Sequence, residues 1–170
     1  MLDHVNHREV KEMTSGIKRV FVTPLDDAST TDKEGLGTIR WEGNKCYKYI
    51  LYENGTAAVA GVAGEVAYYD EDDGPITNVV TSDLSDATGE VGAGVLQAAL
   101  DSGAAGYGWI QIKGPATLTI ALTAGADGDS LTPSGAGDGT LDLLDAAETD
   151  HNCAQAVDAT AKIIACDFPF

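Results

Sequence analysis

From Leu36 onward the chain is written in short apolar runs. "GTIRWEG", "CYKYILYE", "EVAYYD", "GVLQAAL", "GWIQIKG", "ATLTIALT", "GTLDLLD", "CAQAVD" and "AKIIACDF" follow one another, with Gly, Asp, Asn and Pro between them. Several alternate with a period of two. Leu118, Ile120 and Leu122 oppose Thr117, Thr119 and Thr123; Ile39 and Trp41 oppose Arg40 and Glu42. That period with one wet face predicts antiparallel strands. The architecture it predicts is mainly β, a small barrel or sandwich. Asn54-Gly55 in "YENGTA" is a positive-φ pair that predicts a tight hairpin turn there. Only "DLSDATGEVGAGVLQAALDSG" (83–103) hints at a helix, and its glycines oppose one.

The first 35 residues have a different texture. "DHVNHREVKEM" (3–13) predicts a short helix with Asp3 as its N-cap and Val5, Val10 and Met13 apolar. A helix this short must dock on something or fray. "IKRVFVTP" predicts a strand stopped by Pro24, and "LDDASTTDKEG" reads as a polar linker with nothing to bury. The expected organisation is an extended N-terminal arm over 1–35 and a β-rich domain over 36–170. The arm's apolar positions, Val5, Val10, Met13, Ile17, Val20 and Phe21, are candidate contacts with another protein.

The stretch "GYGWIQIKGPAT" (106–117) places Ile110 and Ile112 on one face of a strand and Tyr107, Trp109, Gln111 and Lys113 on the other. With the Ile face inward, the Trp face looks outward, which is unusual for an indole. Three things could cover it: the arm or a barrel wall of the same subunit, another subunit, or a small ligand. Trp41, Trp109, Gln111 and Lys113 are therefore candidate interface residues.

Charge sharpens the division. Residues 1–50 hold eight Lys/Arg and eight Asp/Glu, whereas residues 51–170 hold two against nineteen and carry all of the −17. Such a body is repelled by nucleic acid and by anionic membranes, so neither is expected as a partner. Lys113, one of only two cations in the acidic part, asks for a specific acidic partner. No apolar run reaches the roughly 18 residues of a membrane span, and the first 20 residues lack a signal-peptide core. A soluble, non-exported chain is expected. Cys46, Cys153 and Cys166 are an odd number without zinc-ligand spacing and read as buried free thiols.

Recognisable chemistry is sparse. His4 and His7 would share a helical face, but nothing at a suitable spacing completes a metal site. No Ser lies in a G-x-S-x-G elbow, and the many carboxylates fall in turns such as "YDEDDGP" and "GADGDS", where Asp bonds its own backbone. Counting from Asp70, "DEDDGP" puts Gly74 where a calcium loop needs a ligand. "GEVGAGVLQAAL" lacks the Lys and the electrostatics of a phosphate loop. Asn54-Gly55-Thr56 matches a glycosylation sequon but reads as a turn. The expectation is a non-enzymatic protein with no cofactor and no metal.

The segments "GVAGEVAYYD", "GVLQAALDSGAAGYGWIQIKGPATLTI", "AGADGDSLTPSGAGDGTLDLL" and "AQAVDATAKIIACDFPF" resemble the C-terminal two thirds of small virion structural proteins of tailed bacteriophages, among them head decoration (capsid cement) proteins. The resemblance spans roughly 36–170; the arm carries no motif of it. It implies a β-rich protein, commonly a homotrimer, made in the host cytoplasm and bound to the outer surface of the icosahedral head. There it would reinforce the shell by cementing neighbouring major capsid proteins, without catalysis. An alternative is a head-fibre or tail module that binds a host receptor or carbohydrate, with Trp41, Trp109, Tyr68 and Tyr69 stacking on sugar rings.

Overall fold

The computed structural model describes residues 20–72, 74–145 and 151–169. The chain is mainly β, and its ten strands form one sheet. In chain order they are β1 (Ile39–Glu42), β2 (Lys45–Tyr52), β3 (Val66–Asp70), β4 (Val79–Thr81), β5 (Ala87–Leu96), β6 (Tyr107–Thr117), β7 (Ser130–Thr132), β8 (Asp142–Leu143), β9 (Ala154–Asp158) and β10 (Ile163–Asp167). One helical turn, α1 (Gly74–Thr77), precedes β4, and a 3-10 turn (Leu84–Asp86) precedes β5.

The spatial order is β1-β2-β4-β3-β5-β6-β10-β9-β7-β8, and β2 also pairs with β6. That extra pairing bends half of the sheet into a partly closed ring of β2, β4, β3, β5 and β6, while β10, β9, β7 and β8 run on from the far end of β6. Every pairing is antiparallel except β2 with β4. Strand β6 carries the whole arrangement. Its first half lies between β2 and β5, and its last five residues pair with β10. The handover falls at Gly114, whose φ of +89° suits glycine and whose Cβ, if it had one, would run into the Asn44 carbonyl oxygen.

The inward faces of the ring make the main core. Ile50, Leu96, Ile110 and Ile112 are all at or near zero exposure. Phe168 and Leu131 extend that core under the second half of the sheet. Lys48 faces inward as well, donating from Nζ to the Tyr69 hydroxyl at 2.8 Å. The three cysteines are free and buried.

Four local expectations need correcting. Residues 83–103 hold no α-helix; after the 3-10 turn they form β5, whose Ala93, Val95 and Leu96 are buried, Leu96 opposite Ile110. Gly55 does turn the chain, with φ +68°, but β2 and β3 are not a hairpin, because β4 lies between them. The tight hairpin is β1–β2, where Gly43 takes φ +59° and Asn44 follows, the arrangement of a II′ turn. Strand β6 ends at Thr117, and "LTIALT" then leaves the sheet: Leu118 N–H bonds the Lys162 carbonyl and Thr119 N–H that of Gly64. Lastly, residues 20–24 form no strand, and the "linker" buries Ser29 and Glu34.

Candidate interaction surface: a strap over Trp109

The face of β6 opposite Ile110 and Ile112 does not look at solvent. Trp109 is fully buried, in a second apolar cluster with Tyr47 and Tyr49, which β2 presents on the same side. Phe21, Leu25 and Leu36 cover them from residues 20–36, which lie across β2 and β6 as a strap. Phe21 meets the indole edge-on at 5.6 Å and Tyr49 does so at 5.0 Å. The outward orientation expected of Trp109 is thus real relative to the ring, but this chain's own N-terminal region supplies the cover.

Polar contacts fix the strap's position. The indole N–H of Trp109 donates to Thr23 Oγ1 at 2.9 Å, and that hydroxyl donates in turn to Glu34 Oε1 at 2.8 Å. The same carboxylate oxygen accepts the backbone N–H groups of Val22 and Thr23, both at 2.7 Å. Glu34 therefore closes residues 22–34 into a loop, and its buried carboxylate is met by three donors from Val22 and Thr23. Arg40 of β1 donates to the Thr23 carbonyl at 2.8 Å, and its guanidinium lies 5.0 Å above the Phe21 ring and 5.6 Å above the indole. A two-way backbone pair between Ser29 and Tyr107, at 2.8 and 3.0 Å, pins the middle of the strap.

Alternation along the strap decides what stays outside. Phe21 and Thr23 face the indole, so Val20 and Val22 face water, at 80% and 69% exposure. Trp41 is 60% exposed on β1, which among the described residues is an outermost strand paired only with β2. Gln111 is buried, its amide nitrogen donating to the carbonyls of Lys113 and Pro115. The acidic partner sought for Lys113 lies in the same chain: its ammonium pairs with Asp167. Val5, Val10, Met13 and Ile17, with the helix predicted over 3–13 and its two histidines, lie outside the described residues. Sequence reasoning missed Thr23 and Glu34, which no local pattern marks, since their partners are remote or in the "linker".

A cleft of about 300 Å³ runs between Lys113, His151, Cys153, Asp167 and Phe168. Burial pushes the Cys153 thiol up, as it does Cys166 to about 12, so neither is a ready thiolate nucleophile. For Cys166 the nearby Lys45 and Lys113 pull weakly the other way. A second, acidic cleft lies among Glu53, Asp70, Asp72 and Asp86. Among the described residues no group of three His, Cys, Asp or Glu is placed to hold a metal ion. Comparison with protein-family models, curated proteins and solved structures finds no match to this chain.

Proposed function

We propose that this chain is a structural protein of a tailed-phage virion. In this reading it binds the outer surface of the icosahedral head, as trimers, and stabilises the shell by bridging neighbouring major capsid proteins. It is non-enzymatic and carries no cofactor. The observation that carries the reading is the anchored strap. Because Thr23 and Phe21 are held against Trp109, the chain is fixed to the body close to where residues 1–19 join it. That leading segment holds Arg8, Lys11, Lys18 and Arg19 against Asp3, Glu9 and Glu12, a net +1 on a chain of −17. A cationic extension on an acidic body suits a molecule that must crowd on a shell without self-aggregating, yet reach a neighbour. The exposed Val20 and Val22 continue the apolar positions of that extension onto the strap's outer face.

Stacking of sugars on aromatic rings loses ground as an alternative, because three of its four rings are internal. Tyr68, Tyr69 and Trp109 are wholly buried, which leaves Trp41.

The test is co-sedimentation of the purified chain with undecorated capsids of its own virus. Saturable binding at a small integer number of copies per symmetric site is expected. A chain lacking residues 2–19 but keeping the strap should stay folded and lose that binding. Equal decoration by the truncated chain would refute the role given to the arm, and no binding by the full chain would refute the capsid reading itself.

A further inference from the structure

On the outer side of the ring a cleft of about 380 Å³ opens beside Gln111, lined by Lys45, Gly64, Gln97, Thr117 and Thr119 as well. Gln111 has 2% of its surface exposed. Both glutamines spend their amide nitrogens on main-chain carbonyls. Gln97 Nε2 donates to Val95 O at 2.9 Å, and Gln111 Nε2 donates to Lys113 O and Pro115 O at 3.1 and 3.0 Å. A carbonyl can only accept, so the amide orientation is forced and each Oε1 is the atom left over. Among the described residues no donor reaches either oxygen.

Lys45, at the same cleft, is half-buried, and among the described residues its ammonium makes no hydrogen bond or ion pair. The other described cations are engaged. Lys33, Arg40 and Lys113 pair with carboxylates, Lys48 with Tyr69, and Lys162 with the Thr119 carbonyl. In a chain of net charge −17, an ammonium at a polar cleft that forms no ion pair among the described residues points to a ligand that brings its own carboxylate.

We infer that this cleft binds an acidic monosaccharide, a sugar carrying one carboxylate. Lys45 would take the carboxylate. The two Oε1 atoms accept from ring hydroxyls, and the hydroxyls of Thr117 and Thr119 serve as donors or acceptors. The volume lies at the small end of ligand clefts, the size of one or two rings. An extended peptide fits less well: β5 and β6 pair with each other at Val95 and Gln111, so the cleft offers no open strand edge. This inference goes beyond the capsid reading and does not depend on it; it would give the outer face of the body a hold on acidic glycans.

The experiment is an amide-resolved NMR titration of the full chain with glucuronate, with glucose and hexaglutamate as the other arms. Saturable, weak glucuronate binding is expected, moving the side-chain amide signals of Gln97 and Gln111, with glucose far weaker. Lys45→Gln should weaken glucuronate about tenfold or more, and Gln97→Leu should weaken it as well while leaving the folded spectrum intact. Three results would overturn the inference: glucuronate shifting these signals no more than glucose, equal binding by both variants, or hexaglutamate binding there as tightly, which would give the cleft to an acidic protein.

Discussion

Trp109 donates its indole N–H to the hydroxyl of Thr23, a residue 86 positions earlier in the chain. That bond joins the centre of the sheet to the strap formed by residues 20–36. It makes the indole part of the fold's own interior, and it places the start of the described chain.

Trp109→Ala should behave as a core truncation. Removing a fully buried indole costs about 3–5 kcal/mol in comparable sites, and here Phe21 and Tyr49 lose their ring contacts too. Urea unfolding of the variant should show a loss of that size. A loss below about 1 kcal/mol together with a selective association defect would instead make the indole an intermolecular contact.

Glu34→Ala should free the strap before it unfolds the sheet. Three donors, the N–H groups of Val22 and Thr23 and the Thr23 hydroxyl, lose their acceptor, and each buried orphan costs about 1–3 kcal/mol. Amide exchange of Val22 and Thr23 should accelerate strongly, while that of Ile50 and Ile112 changes little. Uniform acceleration across all four would mean that the strap and ring unfold as one unit.

Lys48 links stability to pH. Burial lowers its folded pKa below the ordinary lysine value, so the unfolded chain holds the proton more tightly. The penalty is full below the folded pKa and fades as pH rises toward the unfolded one. Stability from this group therefore increases with pH. Lys48→Met removes the dependence, so the variant's advantage over the natural chain should be largest near neutrality and shrink as pH climbs toward about 10. Buried tyrosines work in the opposite direction above that point, since burial raises Tyr52 and Tyr68 and pushes Tyr69 up to about 12. Comparing the two proteins by urea unfolding at matched pH, below the range in which the tyrosines titrate, leaves Lys48 as the difference. A stability difference that stays constant or grows with pH would contradict the assignment.

The three thiols should be silent in the native state. Burial raises all of them, Cys166 to about 12. Labelling with a disulfide reagent at pH 8 should therefore follow unfolding, and all three should react at once in denaturant. Fast labelling of one thiol under native conditions would show a local opening of its strand.

The β character was legible in the spacing of short apolar runs, because a strand's period of two is local. So was the side of β6 on which Trp109 stands, since Ile110 and Ile112 leave it nowhere else to point. The misreading of 83–103 has a local cause: glycines in a strand look like glycines in a poor helix. They are needed because Gly92 lets the Phe168 ring approach to 2.9 Å from where a Cβ would sit. That reason lies 76 positions away and leaves no trace in the neighbouring sequence.

By itself, then, the sequence determined that this chain builds many short strands, which side of each is apolar, and where its charge lies. Each of these depends on residues within a few positions of one another. Only the tertiary structure decided that β4 separates β2 from β3, that the strap covers Trp109, and that Lys45 shares a cleft with two glutamines. These are contacts between groups far apart in the chain, chosen by which burial satisfies the most apolar surface and the most hydrogen bonds together, and no local pattern encodes that choice.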